Sequence, residues 1–203
     1  MARARDTRRF GGAVAGVLAS VLAGVALLAA CDVVVVPPGD ETRESQPSPA
    51  TPRAFSHVIQ GDLSGYYMPV AEVKVGKWTL DHVFLGQEAD FSSWEAGRRE
   101  GQFAPVMLEF VDQTSPMVAT ELGEVRSGRV RVLPVSYAVT DTGIQFVGTS
   151  PEMGAVTFAG RLNPDALATA KRNLGDEGAV MTGTLTAGGQ TLAGQAFRWF
   201  GGD

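Results

Sequence analysis

The chain contains very little of the residue types that build metal centres and covalent cross-links. Its 203 residues include one cysteine, Cys31, and two histidines, His57 and His82. A single cysteine excludes a disulfide within the chain, and two histidines exclude a three-histidine metal site. Any metal would have to bind through carboxylates, and the sequence predicts no metal and no other cofactor. We interpret His57 as an ordinary strand-edge or surface residue.

Short catalytic patterns are also missing. The chain contains no G-x-S-x-G, no H-E-x-x-H, no S-x-x-K and no glycine-rich phosphate loop. Their absence removes the commonest hydrolase and metalloprotease designs that a short pattern reveals, although it does not exclude an enzyme without such a signature. The sequence therefore assigns no catalytic residue and favours a non-catalytic role.

Basic residues are in the minority, most clearly after the first thirty positions. Residues 1–30 hold four arginines and one aspartate, so residues 31–203 carry 13 Lys and Arg against 21 Asp and Glu, a net charge of −8. Phosphate contacts need clustered Lys and Arg, so we expect no nucleic-acid partner. Anionic lipid headgroups would also repel this part of the chain.

The N-terminus has a patterned arrangement of charge and apolar residues. Four arginines within residues 1–10 precede an uncharged run over residues 11–30, which ends in Leu28-Ala29-Ala30-Cys31. A basic start, an apolar run and small residues at a cut site are the layout of a secretory signal peptide. The end of this run resembles the lipobox of bacterial lipoproteins.

The resemblance implies that Cys31 receives a diacylglycerol on its sulfur and becomes the first residue of the mature chain. Two or three acyl chains hold a protein firmly at a membrane. Alkylation would also prevent Cys31 from acting as a nucleophile. Asp32 favours the inner membrane, as it does in enteric bacteria, and the outer membrane is the alternative. An uncleaved helix over residues 11–30, long enough to span a bilayer, is the competing interpretation.

Composition divides the chain into three parts. Residues 1–30 are the predicted signal peptide. Residues 31–53 contain the lipidated cysteine and a stretch rich in proline, serine and charge, which predicts a disordered linker. The remaining residues 54–203 are numerous enough for a single domain with its own core.

Apolar residues in this domain recur mostly with a period of two, which is typical of half-buried strands. Pro134 cannot donate a backbone hydrogen bond, so it predicts an edge, a bulge or two separate strands. The predicted strands are residues 71–75, 78–85, 106–111, 129–140, 143–149, 156–162, 179–187 and 190–200.

Helical signals are confined to two segments. Asn163 is a predicted N-cap, Pro164 takes the first helical position, and the helix covers about residues 164–173. Residues 89–99 form a shorter candidate helix. The predicted fold class is mostly β: an antiparallel β-sandwich or small β-barrel of about seven to nine strands, with one short helix at about 164–173.

Strand 78–85 contains the candidate ligand-lining residues. Simple alternation places Trp78, His82 and Phe84 on one face together with Leu80, and it places Asp81 on the other. Asp81 and His82 are then not a catalytic pair. The shared apolar face predicts a core histidine, or a lined ligand cavity if the sheet closes into a barrel.

Charged groups elsewhere favour plain surface roles. Glu88, Asp90 and Glu95 lack the spacing of a calcium loop, so they predict a solvated acidic loop. Arg129 and Arg131 share one face of a predicted strand and suggest its solvent side, with a basic strip for an anionic ligand as the alternative.

Together these observations predict a lipid-anchored, periplasm-facing lipoprotein of the bacterial cell envelope. Its β-rich domain would bind or scaffold another envelope component without catalysis. One alternative is a lipocalin-like barrel that holds a lipid or small apolar ligand beside Trp78 and His82. Another is a carboxylate-dependent periplasmic enzyme that uses Asp81 or Glu88, in which at least two acids converge in a cleft with perturbed protonation.

Overall fold

A computed structural model describes residues 54–99, 101, 103–121 and 123–202. The predicted signal peptide, Cys31 and the predicted linker lie outside the described residues. Neither helix in the described ranges has the length and apolar character needed to cross a membrane.

The described residues contain thirteen strands and two helices. The helices are α1 (Glu88–Glu95) and α2 (Pro164–Arg172). The strands are β1 (Phe55–Val58), β2 (Gly65–Pro69), β3 (Lys74–Val75), β4 (Trp78–Leu85), β5 (Val106–Asp112), β6 (Met117–Thr120), β7 (Gly123–Arg126), β8 (Arg129–Val132), β9 (Pro134–Thr140), β10 (Gly143–Ser150), β11 (Gly154–Leu162), β12 (Met181–Ala187) and β13 (Gln190–Phe200).

The protein is therefore mostly β, as predicted, but it has more strands than the expected seven to nine. The strands absent from the prediction are β1, β2, β6 and β7, each of four or five residues. Segments this short show too little alternation to be distinguished from the loops around them.

Eleven strands form one curled sheet in the order β1-β9-β10-β11-β12-β13-β2-β4-β5-β8, with β3 paired to β4. Strands β6 and β7 make a separate two-stranded sheet. Strand β1 joins β9 in parallel, while the other pairs are antiparallel. The curl brings β8, at one end of this order, next to β10 near the other end.

One face of the sheet, here called the inner face, carries a filled core. Phe158 and Phe197 pack edge to face with ring centroids 5.5 Å apart, and Phe91 of α1 packs in the same way on Tyr137 at 5.6 Å. Such pairs contribute about 0.5–1.5 kcal/mol beyond their burial. Seven aromatic side chains are less than 2 % exposed: Tyr67, Phe91, Phe110, Tyr137, Phe146, Phe158 and Phe197.

Helix α2 forms where the sequence predicts it, because its signals are local. The Asn163 side chain accepts a hydrogen bond from the Ala166 backbone nitrogen at 3.1 Å, and Pro164 occupies the first turn. Leu167 and Ala170 are buried and hold the helix against β13.

Helix α1 ends earlier than the predicted 89–99. It begins after Gln87, whose backbone nitrogen donates to the Asp90 side chain at 2.8 Å. It ends at Glu95, and Gly97 then adopts a left-handed conformation with φ of 86°. That conformation favours glycine and does not continue a helix, so the chain leaves α1 one turn before the predicted end.

Pro134 separates two strands, which is one of the three outcomes predicted for it. Strand β8 pairs with β5, whereas β9, which begins at Pro134, pairs with β1 and β10. The chain thus crosses from one end of the strand order to the other within Val132, Leu133 and Pro134.

A β-bulge at Asp81 reverses the alternation of β4. Leu80 lies opposite Phe110, but His82 lies opposite Glu109, so Asp81 is an extra residue with no partner in β5. An extra residue moves every following side chain to the other face of the sheet.

The bulge separates the candidate ligand-lining residues. Trp78 precedes it and lies on the inner face, 8 % exposed. His82 and Phe84 follow it and lie on the opposite, outer face, so these residues do not share a face as simple alternation predicts. The inner face of β4 carries Trp78, Leu80, Val83 and Leu85.

Candidate functional site on the outer face

Five charged or titratable side chains meet on the outer face of β4, β5 and β8. The strand register places Glu109 of β5 between His82 of β4 and Arg131 of β8. Arg129 lies two residues before Arg131 in β8. The alternation of β8 correctly predicts that its two arginines share a face. We call this group the charged cluster, and its members are Asp81, His82, Glu109, Arg129 and Arg131.

Glu109 is the buried centre of the charged cluster, with a side chain only 6 % exposed. The Arg131 Nε donates to its Oε2 at 2.7 Å, and the Arg129 Nη1 donates to its Oε1. Burial acts to raise the pKa of Glu109, but the hydrogen bonds from the two arginines outweigh it and hold the pKa below its usual value. Glu109 therefore stays ionised and fixes both guanidinium groups.

Asp81 and His82 form a hydrogen-bonded pair, with Oδ2 and Nδ1 2.9 Å apart. The prediction that they point to opposite faces is wrong, because the bulge brings both side chains to the outer face. The hydrogen bond from His82 is the main cause that lowers the pKa of Asp81, with burial opposing it. An ionised Asp81 can accept a hydrogen bond from Nδ1 of His82.

The spacing of the cluster would suit a cation, but its charges do not. Ligand atoms of Asp81, His82 and Glu109 all lie within 4.8 Å of one another. However, both oxygens of Glu109 already accept hydrogen bonds from arginine, and Arg129 also lies 3.9 Å from Asp81. Two guanidinium groups would repel a metal ion, so these donors are better matched to holding the arginines.

Aromatic rings continue the site across β4, β2 and β13. Their successive centroids lie 5.3 to 6.4 Å apart, and the Tyr66 ring also meets His82 at 4.9 Å. The Arg131 guanidinium lies over the Phe103 ring, 5.0 Å from its centroid, and so joins this row of rings to the charged cluster. The rings at the two ends of the row, Phe200 and Phe103, are 43 % and 59 % exposed. We call this row the aromatic strip, and it runs Phe200, Tyr66, Phe84, Phe103.

No family model, curated protein or solved structure matches this chain. Function is therefore inferred from the chemistry of the outer face.

The second histidine also pairs with a carboxylate. His57 Nδ1 lies 2.9 Å from Glu95 Oε1, and the Tyr137 hydroxyl donates to the same oxygen at 3.1 Å. Burial, and then the charge of Glu95, raise the pKa of Tyr137 above its usual value. His57 does lie on the edge strand β1, as predicted, but its side chain is mostly buried and ties α1 to β1 and β9.

The three carboxylates predicted to form a solvated acidic loop lie on helix α1 instead, and they do not converge. Glu88 and Asp90 are exposed in the first turn of α1, where Asp90 accepts from the Gln87 backbone, while Glu95 lies at the other end of the helix. The acids that do converge are Asp81 and Glu109. In the sequence, the adjacent polar pair Asp81-His82 interrupts the alternation of this strand, but the bulge itself is visible only in the register between β4 and β5.

Proposed function

We propose that this chain is a lipid-anchored lipoprotein of the bacterial envelope whose β-rich domain binds another envelope protein through its outer face, without catalysis. The anchor would be the acylated Cys31, with the inner membrane favoured by Asp32 and the outer membrane as the alternative. The observation that carries the binding role is the continuity of the partly exposed aromatic strip with two arginines fixed on a buried glutamate.

This composition is that of a protein interface. Aromatic residues and arginine are enriched at interface centres and at the positions that dominate binding energy. Arg129 and Arg131 are held by Glu109 before any partner arrives, so less side-chain entropy is lost on binding. Both remain partly exposed. A partner that presents carboxylates beside apolar side chains would match this surface.

The packing favours a surface role over a ligand held inside the sheet. The single curled sheet is closer to a barrel than to a sandwich of two sheets, yet the inner face is occupied by large aromatic side chains. His82 and Phe84, which would line such a cavity, lie on the outer face. A lipocalin-like role therefore receives less support.

A carboxylate-dependent enzyme is also less well supported. Asp81 and Glu109 converge, but the hydrogen bonds of His82 to Asp81 and of the arginines to Glu109 lower both pKa values. Neither carboxyl group would hold a proton to donate near neutral pH. Among the described residues, Asp81 is the hydrogen-bond partner of His82, and no hydroxyl nucleophile is bonded to the imidazole.

Site-specific photo-crosslinking in cells tests the proposal. A photoreactive residue at Phe103 of the full chain should give a discrete protein adduct. The same photoreactive residue at Thr191, which is exposed at the end of β13 far from Phe200, should give no such adduct. Replacing both Arg129 and Arg131 with Gln should reduce the Phe103 adduct. Identical adducts at both positions, or no adduct at Phe103 in membrane-located protein, would contradict the proposal.

A further inference from the structure

A cleft opens between α1 and the segment that leads into β5. Its volume is about 430 Å³, within the range of about 300–1,000 Å³ that is usual for small-molecule sites. The apolar part of its wall consists of Phe84, Trp94, Phe103, Ala104 and Pro105. The cleft is therefore large enough, and apolar enough, for a ring-containing small molecule.

The free charge at this cleft is the guanidinium of Arg98. Its Nε donates to the Ser93 hydroxyl at 3.0 Å, and its two terminal nitrogens have no partner among the described residues. The other charged group, Asp90, is turned to the start of α1, where its Oδ2 accepts from the Gln87 backbone. A planar guanidinium with two unused nitrogens is suited to a carboxylate, which it can bind through two parallel hydrogen bonds.

A buried donor in the same wall is also without a partner. Trp94 is 8 % exposed, and its indole Nε1 is buried with no acceptor among the described residues. Unpaired buried donors are rare in native proteins and lower stability. Phe103, the most exposed residue of the apolar wall at 59 %, can change rotamer when a ligand enters, as interface side chains commonly do. Because Trp94 lines the cleft, an oxygen of a bound ligand could supply the acceptor that its indole lacks.

We propose that this cleft binds a small aromatic carboxylic acid in its ionised form. The carboxylate is held by the free nitrogens of Arg98, and the ring packs among the aromatic walls with an oxygen at the Trp94 indole. The site does not depend on the envelope partner proposed above, although Phe84 and Phe103 belong to both surfaces.

The test uses the full chain purified from membranes into phosphatidylcholine nanodiscs, with 2-naphthoate as the probe and empty nanodiscs as the blank. Calorimetry should detect 2-naphthoate binding and a weaker affinity, by about tenfold or more, for the neutral 2-naphthalenemethanol. In nitrogen-15 NMR spectra, 2-naphthoate should move the Trp94 indole N–H signal more than those of Trp78 and Trp199. Trp94→Phe assigns that signal and should weaken binding.

Two variants separate specific from general binding. Arg98→Gln should weaken 2-naphthoate binding by about tenfold and should fold normally, since Arg98 is exposed. The matched control is Arg172→Gln on α2, which should bind as the wild type does. Equal affinity for the acid and the alcohol, unchanged affinity in Arg98→Gln, or no binding at millimolar 2-naphthoate would each overturn the proposal. If 2-naphthoate binds but Phe103 gives no crosslink in cells, the proposed envelope partner is contradicted and the cleft proposal is not.

Discussion

The Oδ2 of Asp81 and the Nδ1 of His82 lie 2.9 Å apart, although the two residues are neighbours in a strand. Neighbouring side chains of a regular strand point to opposite faces. The bulge at Asp81 removes that constraint and turns His82 toward Glu109 of the next strand. One extra residue thus brings His82 into the charged cluster and places Phe84 on the outer face, where it forms part of the aromatic strip.

Glu109→Gln should destabilise the fold by about 1–3 kcal/mol, because it removes the buried charged acceptor that the two arginines share. Urea unfolding at neutral pH measures this loss. The control is Glu177→Gln, which removes the acceptor of Arg198 from a side chain that is 83 % exposed. That change should cost no more than about 0.5 kcal/mol, because exposed ion pairs contribute little. Equal losses in the two variants would show that Glu109 does not organise the cluster.

Stability should fall in acid partly through Asp112. Hydrogen bonds from Lys77 and then from Thr114 lower the pKa of Asp112 to about 2. A carboxylate with a depressed folded-state pKa stabilises the fold above its unfolded pKa, near 4, and that contribution is lost as pH falls from about 4 to about 2.

Urea midpoints measured from pH 5 to pH 2 should therefore fall less steeply for Asp112→Asn than for the wild type. Glu121→Gln, at an exposed carboxylate, should retain the slope of the wild type. An unchanged slope in Asp112→Asn would contradict this account of acid sensitivity.

Gly183→Ala should destabilise the protein by about 1–3 kcal/mol through overpacking. A Cβ at position 183 would lie 2.6 Å from two ring atoms of Phe158, which is itself buried. Combining the change with Phe158→Leu should restore part of the loss, since the ring that causes the clash is gone. At Gly143 the nearest atom to an added Cβ is 3.5 Å away, so Gly143→Ala should be mild. Strict additivity of the two core changes would argue against this clash.

Tyr137→Phe should loosen α1, because it removes the hydroxyl that donates to Glu95 at 3.1 Å. We expect a loss of about 1 kcal/mol and faster amide hydrogen exchange across residues 88–95. Tyr67→Phe removes a comparable buried hydroxyl, bonded to the Leu63 carbonyl at 2.7 Å, and should leave exchange in α1 unchanged. The same exchange pattern in both variants would show that Tyr137 does not fix the helix.

Cys31→Ala should abolish acylation and release the chain from the membrane fraction, because the predicted anchor is attached to the cysteine sulfur. Intact mass spectrometry and membrane fractionation measure both effects. Cys31→Ser is a second variant that keeps the size of the residue and should behave in the same way. A variant that is cleaved at the same place and fractionates as the wild type does would refute the lipobox interpretation.

The sequence by itself determined those elements whose signals lie within a few residues. The Asn163 cap and Pro164 define the start of α2, and the turn at Gly188 and Gly189 forms with both residues at positive φ, as a two-residue hairpin requires. Alternation likewise predicted the long strands, because the period of the side chains is a property of the strand alone. Short strands such as β2 carried too few residues for the same signal.

Tertiary structure alone decided which strands became neighbours and where their registers shift. Phe200 and Tyr66 meet because β13 pairs with β2, although more than a hundred residues separate them in the chain. The face on which His82 lies depends on the partner strand β5, since the bulge at Asp81 exists only as a mismatch between two paired strands. Pairing between distant segments sets the site, and local periodicity contains no information about that pairing.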